Sequence, residues 1–170
     1  MLAVLLLLIQ TGCKKFLDEK PNVKLAVPTT VQDVQALMDN YYIMNGFAAN
    51  MGAESDDDIY MKDAYYNTSK VDIQKTYTWD KDAYNEMAWG DMYKIVLSAN
   101  LGLETLEKIN TTSGIPAGFN RAKGTALFMR GYAFYGLAQY YARPYNPALA
   151  ATTAGIPVRL QSDVNTVNTR

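Results

Sequence analysis

Asn120 to Pro147, NRAKGTALFMRGYAFYGLAQYYARPYNP, is the longest uninterrupted run that reads as a helix, and the rest of the chain is arranged around it. Apolar or small residues fall at Ala122, Ala126, Met129, Ala133, Leu137 and Tyr140, a period near 3.6 that excludes the alternation of a strand. A second line, Phe128, Tyr132 and Tyr135 with Phe134 between the two, leaves a narrow polar strip and predicts a helix buried on most sides. Gly124, Gly131 and Gly136 each cost about 1 kcal/mol against alanine in such a segment, which predicts that a neighbouring helix approaches closely there. Pro144 and Pro147 end the run near Ala142, because the residue before a proline is disfavoured in helical geometry.

Working outward, a second long helix is expected from about Ala83 to Ile109, with Trp89, Met92, Val96, Ala99, Leu103 and Leu106 on one apolar face. Glu86, Asp91, Lys94, Glu104, Glu107 and Lys108 belong to its solvated side. The stretch Asn110 to Gly118, rich in Thr, Gly and Pro, makes the turn that folds the two helices into an antiparallel hairpin. An arginine inside so apolar a helix calls for a partner, and Arg130 is expected to pair with a carboxylate from the Asp91 or Glu86 side.

An earlier helix opens at Thr29, which with Gln32 fits a capping box, shows Val31, Val34, Leu37 and Tyr41 on one face, and ends around Asn45 and Gly46. Between Phe47 and Lys81 the pattern loosens into a loop-rich insert in which acids, Glu54 and Asp56 to Asp58, stand beside Tyr60, Tyr65, Tyr66, Tyr77 and Trp79. The three aspartates lack the glycine and ligand spacing of a calcium loop, so a solvated turn is the favoured reading over a cation site. After Pro147 the chain reads as loop, with Gly155, Ile156 and Pro157 a short extended piece. That tail, and the apolar surface left over on the organising helix, predict the N-terminal part of a longer protein.

Composition narrows the function. Sixteen basic residues against seventeen acidic ones, without a basic cluster, give no footprint for nucleic acid. The absence of histidine removes the commonest general base and metal ligand, and a single cysteine removes disulfides and thiolate clusters. No activated nucleophile, phosphate cradle or metal motif is present in the sequence, so no catalytic residue, metal ligand or cofactor is assigned. Thirteen tyrosines and two tryptophans against five phenylalanines favour aromatics with a polar edge, which suit wet binding surfaces as well as amphipathic core lining.

At the N-terminus, Leu2 to Ile9 is an apolar run of signal-peptide length, too short for the ~20 residues of a membrane span. It ends in Gly12-Cys13, which resembles the lipobox of bacterial lipoproteins, although Gln10 stands where a leucine is usual and no basic residue precedes the run. The competing reading is a core segment with an incidental cysteine. The charged, proline-ended stretch Lys14 to Pro21 favours an anchor, since a lipidated chain needs a tether between lipid and fold.

Four segments together resemble the SusD/RagB family of outer-membrane nutrient-binding lipoproteins of Bacteroidetes. They are Cys13 with Lys14 to Asp18; the helix carrying Trp89, Tyr93, Ile95, Asn100 and Leu106; the organising helix from Arg121 and Ala122 through Arg130, Phe134 and Leu137 to Tyr140, Tyr141 and Pro144; and Gly155-Ile156-Pro157. The resemblance implies an all-α fold of tetratricopeptide-like helical hairpins, with residues 1–13 a lipoprotein signal peptide, 14–28 a tether and 29–170 the first part of the helical domain. It implies a non-enzymatic protein, lipid-anchored on the outer face of the outer membrane, that captures oligosaccharides, or peptides in some branches, for a SusC-like TonB-dependent transporter. A helical interaction scaffold is the alternative from another class, and a glycoside hydrolase the least favoured. Sugars offer apolar ring faces and hydroxyl rims, so the candidate contacts are Trp79 and Tyr77 as stacking surfaces with Asp56, Asp57, Tyr65 and Tyr66 at the rim. Trp89, in register with the apolar stripe, is assigned to the helix core instead.

Overall fold

The fold is described from a computed structural model, which defines residues 27–45, 56–83, 86–109 and 111–166. Cys13, the apolar run before it, the tether up to residue 26, Glu54 and Ser55 lie outside these described residues, as does the side chain of Glu86. Six helices occur among the described residues: α1 Val31–Met38, α2 Tyr41–Met44, α3 Asp63–Thr68, α4 Val71–Tyr77, α5 Glu86–Lys108 and α6 Phe119–Tyr141. The all-α class holds for the described residues, which contain no strand.

The two long helices form the expected antiparallel hairpin. Trp89 meets Tyr141, Met92 lies under Gly136 and Asn100 bonds Arg130, so advancing along α5 means retreating along α6. The turn between them depends on glycine. Gly118, the residue before α6, has φ 79°, and Gly114 has φ 117°, a backbone region in which a Cβ is strained. At the other end Ala142 leaves the helix with φ −105° and ψ 153°, close to where the prolines were expected to stop it.

The core gathers where α1 lies across the hairpin. Val31, Val34 and Met38 pack with Ile95, Val96, Leu103 and Leu106 of α5 and Ala122, Ala126 and Ala133 of α6. Met92 and Leu137 form a smaller cluster toward the open end. Burying the valine, isoleucine, leucine and methionine side chains contributes on the order of 1.5 to 3 kcal/mol each, which is where the stability of so few helices comes from.

Four expectations need correction here. The capping box of α1 sits one residue later than predicted: Thr30 Oγ1 accepts the Asp33 N–H at 3.1 Å, and Asp33 Oδ2 accepts the Thr30 N–H at 2.9 Å and the Thr29 N–H at 3.0 Å. An ionised carboxylate at a helix N-terminus collects several donors and complements the helix dipole, which Gln32 cannot do; the Thr29 and Thr30 donors hold the Asp33 carboxyl below its ordinary pKa. The helix also breaks at Asp39, because Asn40 Oδ1 accepts the Ile43 N–H and starts α2 instead, leaving Tyr41 exposed.

The insert is the third correction. It is less loop-rich than expected, since α3 and α4 run within it. The fourth concerns α6. Ala122, Ala126, Ala133 and Leu137 are buried as predicted, but Leu127, Phe128, Tyr132 and Tyr135 are exposed, because α1 and α5 cover only one side of the helix. The glycines follow the same division. A Cβ on Gly124 or Gly131 would meet nothing within 4 Å, whereas one on Gly136 would lie 3.2 Å from Met92 Sδ, and one on Gly102 would lie 3.1 Å from Val34 Cγ1. Close approach therefore occurs at Gly136 and Gly102.

Candidate functional site

The sequence-predicted contacts all lie between residues 56 and 79. Asp56 closes a turn, its Oδ1 accepting the Asp58 N–H at 3.4 Å, and Asp57 is exposed beside it. Tyr65, on α3, is exposed. Tyr66 is half-buried against Tyr77 of α4, with ring centroids 6.1 Å apart, and the Tyr77 hydroxyl accepts the Met61 N–H at 3.2 Å. Tyr77 thus ties the stretch just before α3 to α4, with much of its ring already covered.

Trp79 differs from all of these. It is 77% exposed and its backbone has φ 55°, the left-handed region that non-glycine residues rarely adopt. The cause is the way α4 ends. The Asp80 N–H donates to the Lys75 carbonyl at 2.9 Å and the Trp79 N–H to the Thr76 carbonyl at 3.2 Å, the paired bonds of a Schellman cap with Trp79 in the place usually taken by glycine. A left-handed non-glycine residue costs on the order of 1 to 2 kcal/mol. The helix end therefore presents an indole to solvent at an energetic cost, from a backbone fixed by two hydrogen bonds.

A second constellation escaped the sequence reading. The segment from Pro157 to Ser162 runs along α5 in the same direction and is held there by side chains. The Tyr93 hydroxyl donates to the Pro157 carbonyl at 2.8 Å, and Asn100 Nδ2 donates to the carbonyls of Arg159 and Gln161 at 3.0 and 3.1 Å. Glu104 accepts the Ser162 N–H at 2.6 Å and also the Ser162 hydroxyl. Arg130 Nη1 completes the set by donating to Asn100 Oδ1 at 3.0 Å. The partner of Arg130 is thus a buried amide, and Asp91 pairs with Lys94 at 2.6 Å instead. Glu104, expected on the solvated side, is half-buried under this segment. The available signal was Asn100 itself, a polar residue one position past Ala99 on the apolar stripe, since buried polar groups demand partners.

Between α5 and that segment lies a cleft of about 420 Å³, lined by Trp89, Tyr93, Leu97 and Pro157 among others. Trp89 is half-buried here. Its ring packs on Tyr93 and on Tyr141, with centroids 4.9 Å apart in each case, while one side lines the cleft. Beyond it, Asp163 Oδ1 accepts the Asn165 N–H at 2.9 Å, and chiefly for that reason its carboxyl is held below the ordinary range. Among the described residues no group of three or more His, Cys, Asp or Glu is placed to hold a metal ion.

The profile of the SusD-like_3 family, described as "Starch-binding associating with outer membrane", covers residues 15–170. No curated protein and no solved structure matches the chain.

Proposed function

We propose that this chain, which belongs to the SusD-like family, captures oligosaccharides at the outer face of the outer membrane and passes them to a SusC-like TonB-dependent transporter. It performs no chemistry on them. Cys13 carries the lipid that holds it there, and residues 14–28 give the fold its reach. Support for the ligand class comes from the family's description as starch-binding. Support for the site comes above all from Trp79, whose indole is offered to solvent from a strained and rigid position. Strain of this kind persists where the surrounding structure over-determines it, and it clusters at sites that bind.

In this reading Trp79 stacks on a pyranose face, Tyr77 flanks it, and Asp56, Asp57, Tyr65 and Tyr66 meet the hydroxyl rim. The test is calorimetric titration of the lipid-free mature protein with a panel of oligosaccharides and short peptides. Saturable glycan binding is expected, weakened about tenfold by Trp79→Gly, which corresponds to about 1.4 kcal/mol. The same substitution relieves the left-handed strain and should raise thermal stability. Loss of affinity together with gained stability separates a binding role from a folding one; unchanged affinity would remove Trp79 from the site. Binding of peptides alone would move the ligand to the family's peptide branch.

The exposed side of α6, with Phe128 and Tyr132 stacked at 6.4 Å, favours a second reading as a helical interaction scaffold. That reading predicts no small-molecule binding by the folded protein.

A further inference from the structure

We infer that the cleft between α5 and residues 157–164 is a separate binding site for a small apolar group that carries a carboxylate. Its volume of about 420 Å³ falls within the range of roughly 300 to 1,000 Å³ usual for small-molecule sites. Trp89 and Leu97 form one wall on α5, and Pro157 and Val164 face them. Gly90 opens onto the same space. A Cβ there would meet nothing within 4 Å, so a helix position where glycine is unfavourable leaves room that its own side chain could have filled.

Hydrogen-bonding capacity decides what fits. The inner polar groups are already engaged, Asn100 with two carbonyls and Arg130, and the Tyr93 hydroxyl with the Pro157 carbonyl. A ring with hydroxyls around its whole edge would give up its bonds to water and find few in return, at a cost for each one left unmade. An aryl or branched alkyl group loses nothing in the same place. This ligand is therefore chemically unlike the glycan proposed for the insert, and the two assignments stand or fall separately.

Charge decides the other end. The charged lining residues among those described are Lys94 and Arg159, both cationic. Lys94 pairs with the half-buried Asp91 and is otherwise exposed; Arg159 donates from Nη2 to the Asp163 carbonyl and lies within electrostatic reach of the Asp163 carboxylate, with its other N–H groups remaining for a ligand. A guanidinium at the mouth of an apolar slot suits a carboxylate, which it can grip through two parallel bonds. That chemistry can come from a free aryl or alkyl carboxylate or from the apolar C-terminal residue of a peptide.

The test uses the full chain carrying Trp79→Phe, which leaves Trp89 as the one tryptophan of the two, so that indole emission reports on the cleft. The probes are 3-phenylpropionate, its neutral amide, and N-acetyl-alanyl-phenylalanine with a free carboxylate. Saturable change of Trp89 emission by the acid is expected, with the amide at least fivefold weaker. Arg159→Gln, at the rim, should erase that preference, and Gly90→Leu should weaken the acid tenfold or more at a melting temperature no lower than the parent's. A tighter peptide acid identifies a peptide end as the source, and a tighter free acid a small metabolite; either supports the site. Equal binding of acid and amide, no saturable binding at all, or full binding by a folded Gly90→Leu protein overturns it. Should Gly90→Leu fail to fold, the Arg159→Gln comparison decides alone.

Discussion

The hairpin and the insert each hold one of the two tryptophans, and they hold them in opposite ways. Trp89, on α5, packs its ring against Tyr93 and Tyr141, one neighbour from its own helix and one from the opposite helix. Trp79, just beyond α4, has its backbone fixed by the end of its own helix and its ring left to solvent. The contrast extends to everything around them. Side chains of the hairpin bond residues about sixty positions away, such as Asn100 to Arg159 and Tyr93 to Pro157, whereas the hydrogen bonds of the insert stay within sixteen positions, Tyr77 to Met61 the longest among the described residues. Distant contacts make a frame, and local ones make a platform that can carry exposed aromatics without disturbing it.

The largest expected effect sharpens this division. Asn100 is 1% exposed and serves three partners, so Asn100→Leu should destabilise the protein by about 3 kcal/mol, the cost of leaving buried groups unpaired. Urea denaturation measures it. A loss below half of that would mean the segment over α5 is held by something else, and the frame would have to be redrawn.

Next comes a paired substitution on α6. Gly136→Val presses on buried Met92 and should cost about 2 kcal/mol, within the range for overpacking. Gly131→Ala, on the open side, should instead stabilise by up to about 1 kcal/mol through helix propensity. Equal effects at both glycines would break the distinction between covered and uncovered sides of this helix. The smallest effect belongs to the insert: Tyr77→Phe removes one acceptor for the Met61 N–H and should cost about 1 kcal/mol. Hydrogen exchange at Met61 should rise while amides within α5 keep their protection. Loss of protection throughout would show that insert and hairpin unfold as one unit.

Much of the hairpin was legible from the chain alone, because burial writes itself as periodicity. The stripe through Met92, Val96, Ala99, Leu103 and Leu106 is buried as read, and so are the small residues of α6 opposite it. Periodicity marks residues able to be buried, however, and it does not say which neighbours exist to bury them. Phe128 and Tyr135 belong to a stripe as regular as the first and remain exposed. Gly131 misled for the same reason, since a glycine shows that a side chain is missing and not whether anything occupies the space.

The candidate site was legible in its ingredients and not in its arrangement. Tyrosines and a tryptophan beside acids suggested the insert, but nothing in the spacing indicated that Trp79 would take the glycine position of a helix cap. The cleft by Trp89 was invisible for a plainer reason. Its second wall is an irregular segment sixty to seventy residues further on, held by side chains whose partners are mostly backbone groups, and backbone groups leave no mark in a sequence.

The dependence of that segment on Tyr93, Asn100 and Glu104 also sets an order of events. These side chains line up only once α5 is helical, and Arg130 can steady Asn100 only after α6 has folded back. The ordering entropy of residues 157 to 162 is recovered last, when no loop remains to be closed within the hairpin. Asn100→Leu should therefore quicken unfolding in stopped-flow experiments and leave refolding nearly unchanged, as for contacts absent from the transition state. The last stretch to dock is then the first to leave, and the frame stays standing while one wall of the cleft opens.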